Sequence, residues 1–352
     1  MHAVIPALLA LTLASPAEVP PVSPARRTLA GAGAVVPGLV VHGAGHFIRG
    51  ETQTGWRLLA AEGIGLGAAV GGIAGLAVTG ASPRTIAPLT WMLVHGVGLF
   101  GVSAFADLYG SVNGGRGAGA PVVRAPELTL DLGYRAIRDP VFAYTGLTVA
   151  GARGRHRALV LDGRAWFAVD HDNQRVRVTP RWRIIGPRPD REAADGGYLD
   201  LRTGAVWHRY GAEGFQSAFG ELALRGRLDL HRIGPTLRGA FVEAEIGAAM
   251  GGTKHVGFDL EAESMLLGGF AFGLYLGHAR DGYGEVSVYY DQRHDGYVAG
   301  SKARGLGSGS PGHYGLKSRV RVWGPWGLDL HAAAGSSWLG GGSVVYQWGG
   351  QR

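Results

Sequence analysis

Arg175, Arg177, Arg181 and Arg183 stand at odd positions of the stretch QRVRVTPRWRII, residues 174–185, with Val176, Val178, Pro180, Trp182 and Ile184 between them. In a strand, alternate side chains point to opposite faces, so this spacing predicts a guanidinium face and an apolar face. Arg225 and Arg227, and Arg319 and Arg321, repeat the pattern further along. Such a row can favour anions in a pore, or it can be answered by carboxylates on adjacent strands. A second set, Asp200, His208, Asp229 and His231, combines the carboxylate and imidazole types that general acid–base chemistry uses. A third lies near the start: His42 and His46, four apart, then Glu62, His95 and Asp107. Histidines four apart on a helix share a face and can chelate a metal. A histidine such as His95, held by an apolar helix in lipid, points to function. No phosphate-binding loop, His-Glu-x-x-His, serine elbow or calcium loop is present to fix a reaction.

Composition narrows the class. Glycine makes up 62 of 352 residues, and charged residues are only 17%, against a usual ~25%. The glycines follow no triplet, which excludes collagen. There is no cysteine, so disulfides, thiolate metal sites and a cysteine nucleophile are excluded. The formal charge of +7 favours anionic partners in general. Nucleic acid is not expected, because no basic–aromatic motif sits on a soluble fold. No cofactor is expected.

Residues 1–17, MHAVIPALLALTLASPA, have the apolar run and the small Ser15 and Ala17 of a cleavable secretory signal, though no Lys or Arg precedes the run. A short anchor helix is the alternative. Residues 18–35, rich in Pro and Ala with Arg26 and Arg27, read as an extended linker. Residues 36–109 read as an apolar helical hairpin. Gly55–Gly80 and Thr85–Ala106 are each about the ~20 residues that a membrane-crossing helix needs, with Pro83 in the turn between them. Gly63, Gly67, Gly71 and Gly75 recur at every fourth position, the pattern of a close helix–helix contact. Residues 110–124 are a Gly-rich linker.

From 125 to 350 the period becomes two. In LTLDLGYRA, Leu128, Leu130, Leu132 and Tyr134 oppose Asp131 and Arg135; in ELALRGRLDLHRI, Leu222, Leu224, Leu228 and Leu230 oppose Glu221, Arg225, Arg227, Asp229 and His231. Long alternating segments separated by turn signals predict a mainly β chain: a transmembrane, antiparallel, up-and-down barrel of about 12 strands, range roughly 10–14. Trp182, Trp207, Tyr210, Trp323, Trp326, Tyr346 and Trp348 are candidates for its aromatic girdles. A soluble sandwich or lipocalin-like barrel also alternates, but its strands usually run ~5–6 residues.

Over residues 125–348 this pattern resembles that of bacterial outer-membrane β-barrels. The entry to the helical region, HGAGHFIRGETQTGWRLL, resembles the "PGxGxFYxG…G" start of TM2-like two-helix membrane proteins. Gly43, Gly45, His46, Phe47, Gly50 and Gly55 match, and His42 stands where the proline usually is. That resemblance implies no enzymatic activity.

The function expected is an outer-membrane barrel, a small pore or structural envelope protein with Arg175, Arg177, Arg181, Arg183, Arg225, Arg227, Arg319 and Arg321 facing a basic lumen. Its partners would be membrane lipid, lipopolysaccharide and small anions. One alternative is an envelope enzyme acting on lipid or lipopolysaccharide through the Asp/His set of the barrel wall. Another is an inner-membrane-anchored periplasmic β-domain. The stretch from Ala106 to Pro126 reaches at most ~70 Å at ~3.5 Å per residue, so these placements exclude each other.

Overall fold

The structure, a computed structural model, describes residues 23–80, 82, 84–113, 125–138, 145–168, 172–190, 193, 195–210, 215–254, 257, 259, 261–276, 284–292, 313–335 and 337–349. The expected signal segment 1–17 and most of the Gly-rich linker lie outside them. The chain forms two compact units: Met1–Pro121 with Asp229–Phe241 and Phe272–Asp281, and Val122–Leu228 with Val242–Ala271 and Gly282–Arg352.

Twelve strands close into one antiparallel barrel, each beside its sequence neighbours and the last pairing with the first. They are β1 (Leu128–Arg138), β2 (Thr145–His156), β3 (Leu159–Ala168), β4 (Asn173–Ile185), β5 (Tyr198–Tyr210), β6 (Phe215–Asp229), β7 (Ala240–Lys254), β8 (Glu261–Leu276), β9 (Gly284–Asp291), β10 (His313–Trp323), β11 (Trp326–Ala334) and β12 (Trp338–Trp348). Closure removes the unpaired edge that an open sheet of such strands would present.

The predicted alternation sets the two faces of the wall. On β4, Arg175, Thr179 and Arg183 are buried while Val176, Val178, Trp182 and Ile184 are exposed. Leu132, Leu161, Leu222, Ile246 and Leu330 are each more than half exposed on the outer face. Trp182, Trp323, Trp326 and Trp348 are exposed near strand ends, and so is Trp338, which the reading of the sequence left out. The missing N–H of Pro180 calls for a bulge or an irregular ladder: the β4–β5 pairing stops at Val178↔Ala205 and resumes in the same register at Arg181↔Arg202, and the register shift falls later, between Arg183 and Ile185. A missing N–H interrupts a ladder only locally when the flanking pairs hold the register.

The inner face is not uniformly polar. Ile137, Leu147, Val149, Trp166, Ala333 and Leu339, from β1, β2, β3, β11 and β12, form a buried apolar cluster. Leu147 and Val149 pair with Arg135 and Gly133, so they belong to the inward set. The sequence reading had not assigned this strand a face.

Among its described residues the first unit contains four helices: α1 (Pro24–Val35), α2 (Ala44–Arg49), α3 (Thr52–Thr79) and α4 (Ile86–Asn113). Helix α1 corrects the expected extended linker. Ser23 caps its N-terminus by accepting from the Arg26 N–H, Pro24 lies in its first turn, and helix-compatible Ala, Arg and Leu supply most of the remainder. It buries Ala30, Gly33 and Ala34, and Arg26 Nε donates to the Ile48 carbonyl at 2.7 Å.

Helices α3 and α4 are long and apolar enough to cross a membrane. They meet along Leu58, Glu62, Gly65, Ala69 and Gly72. A Cβ on Gly65 or Gly72 would strike the α4 backbone at Gly96 and Phe100 or at Leu89 and Leu93. The predicted stripe meets α4 only in its second half: a Cβ on Gly71 or Gly75 would press on Met92 or Leu89, while nothing lies within 4 Å of a Cβ built on Gly63 or Gly67. Two short 3-10 turns, Leu230–Arg232 and Pro235–Leu237, belong to this unit. Phe272 and Leu274 are buried. Phe272 packs against Phe105 and against the position a Cβ on Gly101 would take.

Candidate functional site

Seven of the eight candidate arginines pack against partners on the barrel strands, six of them against carboxylates. Arg177 donates to Glu221 at 2.6 Å, Arg181 to Asp162 at 3.0 Å and Arg183 to Asp200 through two nitrogens. Arg225 and Arg227 both reach Glu243, at 2.6 and 2.7 Å, and Arg227 also reaches Glu285 at 2.6 Å. Arg319 pairs with Asp329. Arg175 lies over the Trp166 ring, 5.3 Å from its centroid. The exception is Arg321, whose Nε donates to the Gly324 carbonyl in the β10–β11 turn, where the register shifts.

Several pairs skip strands. Arg202 on β5 bonds Glu245 on β7 at 3.0 Å, and Tyr198 on β5 donates to Glu243 on β7 at 2.8 Å. Arg227 and Glu285 sit on β6 and β9, strands separated by ~14 Å of wall at ~4.8 Å per strand. Such reach draws the side chains into the lumen. The Tyr198 ring lies under Arg183 at 4.5 Å and under Arg227 at 5.5 Å. The acidic partners Asp162, Glu221, Glu243, Glu245 and Glu285 come mostly from strands other than those of the arginines they serve. Sequence spacing within a strand carries no signal for that pairing.

The Asp/His set is not gathered into a catalytic arrangement. Asp200 is held by Arg183. His208 shares a 3.1 Å hydrogen bond with Asn173, and lies eight residues from Asp200 along β5, ~26 Å at ~3.3 Å per residue. Asp229 and His231 do meet, at 2.9 Å. They do so outside the regular strand, where Asp229 caps the first 3-10 turn.

The metal candidates also part. Gly43, in the left-handed region at φ 93°, breaks the chain before α2, so His42 is not on the helix that carries His46. His95 is exposed. Among the described residues no group of three or more His, Asp or Glu is arranged to hold a metal ion.

What these residues build is a buried polar core. Asp107, fully buried on α4, accepts from the backbone N–H groups of Gly43 at 2.9 Å and of Gly45 and His46 at 3.3 Å, and from the Ser111 hydroxyl. The Gly-x-Gly turn thus forms an amide cradle for a carboxylate of the same chain. A side chain at position 43 would both favour the wrong φ and strike the Gly55 backbone. Glu62 accepts from the His42 N–H at 2.8 Å. The Ser103 hydroxyl donates to the Phe100 carbonyl, so it accepts from His42 Nδ1–H at 2.6 Å, which fixes the tautomer of the neutral ring. Glu51 bonds His46 Nδ1 at 2.8 Å and Arg49 Nε at 3.2 Å, and Arg49 donates to the Gly110 and Ser111 carbonyls at the end of α4.

Burial pushes the His42 imidazole below its ordinary value, against the pull of Glu62 and Asp107. Burial alone would raise the Glu51 carboxyl, but His46 and Arg49 outweigh it and hold it low. In both cases the unfolded chain binds the proton more readily, so stability falls as pH falls. The His42 contribution is present above 6.5 and is lost as pH drops through the lowered folded value. The Glu51 contribution is present above 4.5 and lost below it. Hydrogen exchange of the amides at 43–46, corrected for intrinsic rates, is expected to lose protection in two steps as the buffer is taken from pH 7 into acid. Unchanged protection throughout would contradict this.

No family model matches the chain, and no curated protein matches it. Solved structures similar to it include the KdgM porin in complex with disordered oligogalacturonate, at 8% identity and TM-score 0.38 over 62% of this chain and 99% of that one. Acinetobacter baumannii outer membrane protein Omp33 is similar at 10% identity and TM-score 0.34, over 63% and 98% of the two chains. The translocator domain of the autotransporter NalP from Neisseria meningitidis is similar at 13% and 0.37, over 64% and 90%.

Proposed function

We propose that this chain is an outer-membrane β-barrel of the bacterial envelope, with a constricted, ion-paired interior rather than a wide aqueous channel. The observation that carries the reading is the sidedness of the closed wall: leucine, valine and tryptophan side chains exposed outside, arginine–carboxylate pairs inside. A closed barrel satisfies every backbone group within the wall, which is what a hydrocarbon solvent demands of a spanning sheet. A periplasmic soluble domain would leave those outer leucines in water. The apolar face of α3, with Ile64, Leu66, Val70 and Ile73 about half exposed, favours lipid contact for that unit too.

Two features argue for constriction. The apolar cluster around Trp166 fills part of the interior, and the Arg227–Glu285 pair extends into it. An enzyme of the barrel wall has little support, since Asp200, His208 and Asp229 are each engaged by a different structural partner.

The purified chain is expected to fractionate with outer membranes and to shift in gel mobility on heating. In planar bilayers it is expected to give steps far smaller than those of an open porin. Recovery with inner membranes and no heat-dependent shift would overturn the placement. Large ohmic steps would overturn the constriction.

A further inference from the structure

Period two places Arg153 and Arg155 of β2 on one face, together with Asp162 and Arg164 of β3 and Arg177, Thr179 and Arg181 of β4. The exposed Leu159, Leu161 and Val178 mark the opposite face. Antiparallel register lays the inward positions out as a grid. One row holds Gly151, Arg164 and Arg177, the next Arg153, Asp162 and Thr179, the third Arg155, Val160 and Arg181. Nine neighbouring inward positions thus carry five arginines and one carboxylate.

Arg177 turns away to Glu221 on β6 at 2.6 Å. The other four share Asp162. Arg153 Nε at 2.6 Å and Arg181 Nη2 at 3.0 Å both donate to its Oδ2, and Arg164 Nε stands 3.6 Å from its Oδ1. Nitrogens that share one oxygen atom are close enough to share a second. Arg155 is left over. Among the described residues its side chain has no ion pair and no hydrogen-bond partner, and its Nε is buried. It faces Arg181 across the fully buried Val160, over ~10 Å of wall that two arginine side chains span. Arg181 Nε is likewise buried without a partner. The adjoining acids of β1, Glu127 and Asp131, form no ion pair with any of the four. On the other side Asp200 is taken by Arg183. Water still reaches the group, since the side chains of Arg153 and Arg164 are 22% and 24% exposed. A recess lined by one sign of charge concentrates counter-ions.

We propose that Arg153, Arg155, Arg164 and Arg181 form a binding site for a small oxyanion of the size and charge of phosphate on the inward wall of β2–β4. Each guanidinium is a planar fork matched to two oxygens of one anion. Asp162 holds three of the forks together but leaves the Arg155 fork and the Arg181 Nε to the ligand. The proposal rests on the barrel reading above, which makes this face the interior.

The test is isothermal titration of inorganic phosphate into the full chain in an uncharged detergent, at low ionic strength, with heat-dependent gel mobility recorded for every variant. Saturable binding is expected in the parent chain. Arg155→Gln and Arg164→Gln are each expected to weaken it roughly tenfold, the size of one hydrogen bond to a charged group. Without phosphate, Arg155→Gln is also expected to raise the temperature at which the compact gel form converts, because it relieves repulsion and breaks no pair. A lowered midpoint would make Arg155 a structural partner and remove it from the site. Arg209→Gln removes an exposed charge that pairs with Asp172 and is expected to leave binding unchanged. No saturable binding in a heat-modifiable parent chain, or equal weakening by all three substitutions, overturns the site. A parent chain without the heat-dependent shift would instead count against the barrel reading, so the two failures are distinguishable.

Discussion

Replacing Glu243 with alanine is expected to destabilise the barrel by about 3–5 kcal/mol, the usual consequence of leaving a buried charge without its partner. Glu243 is 8% exposed and accepts from Arg225, Arg227 and the Tyr198 hydroxyl. Removing it takes a shared acceptor from two guanidinium groups at once. Arg227 retains Glu285, but Arg225 is left with Glu245 at 3.9 Å. Glu243→Gln keeps the shape and one oxygen acceptor but not the charge, so an intermediate loss is expected. The measurement is the temperature at which the compact gel form converts to the unfolded one, in detergent, for the parent and both variants. Equal midpoints for all three would show that the interior pairs contribute nothing to holding the wall closed.

The second large effect belongs to Asp107. Asp107→Ala is expected to unlock the turn that leads into the helical pair, because three backbone N–H groups lose a common acceptor inside a dry core. Each buried donor left unsatisfied costs ~1–3 kcal/mol, so about 3–5 kcal/mol of local stability is at stake even if water replaces part of the loss. Asp107→Asn keeps one oxygen and is expected to retain some of the cradle. Limited proteolysis between residues 40 and 50 reads the outcome directly. The alanine variant should be cleaved there under conditions that leave the parent chain intact, and resistance equal to the parent's would refute the role assigned to Asp107.

These two sites differ in how far the sequence exposes them. Period-two spacing in QRVRVTPRWRII separates the exposed Val176, Val178, Trp182 and Ile184 from the buried Arg175 and Arg183, because a pleated strand has no other way to present alternate side chains. The length and regularity of such segments likewise suffice for a barrel of about twelve strands. The partner of each arginine is not legible in the same way. Arg227 finds Glu285, 58 residues on, through ring order and a skipped pair of strands. The glycine stripe shows the same limit: its four-residue repeat is visible at 63, 67, 71 and 75, yet Gly63 and Gly67 face open space, and Gly65 and Gly72 join Gly71 and Gly75 against α4.

The histidine-rich entry makes the contrast sharpest. Local pattern offers His42 and His46 as a chelating pair, which assumes one continuous helix. Gly43 at positive φ ends that assumption, and Asp107, more than 60 residues away, converts the turn into an anion cradle filled from within the chain. Alternation, apolar length and charge composition are properties of short stretches, and short-range sterics and solvation translate them into strands, helices and faces. Which carboxylate answers which cation depends on distances set only when the ring closes and the helices pack.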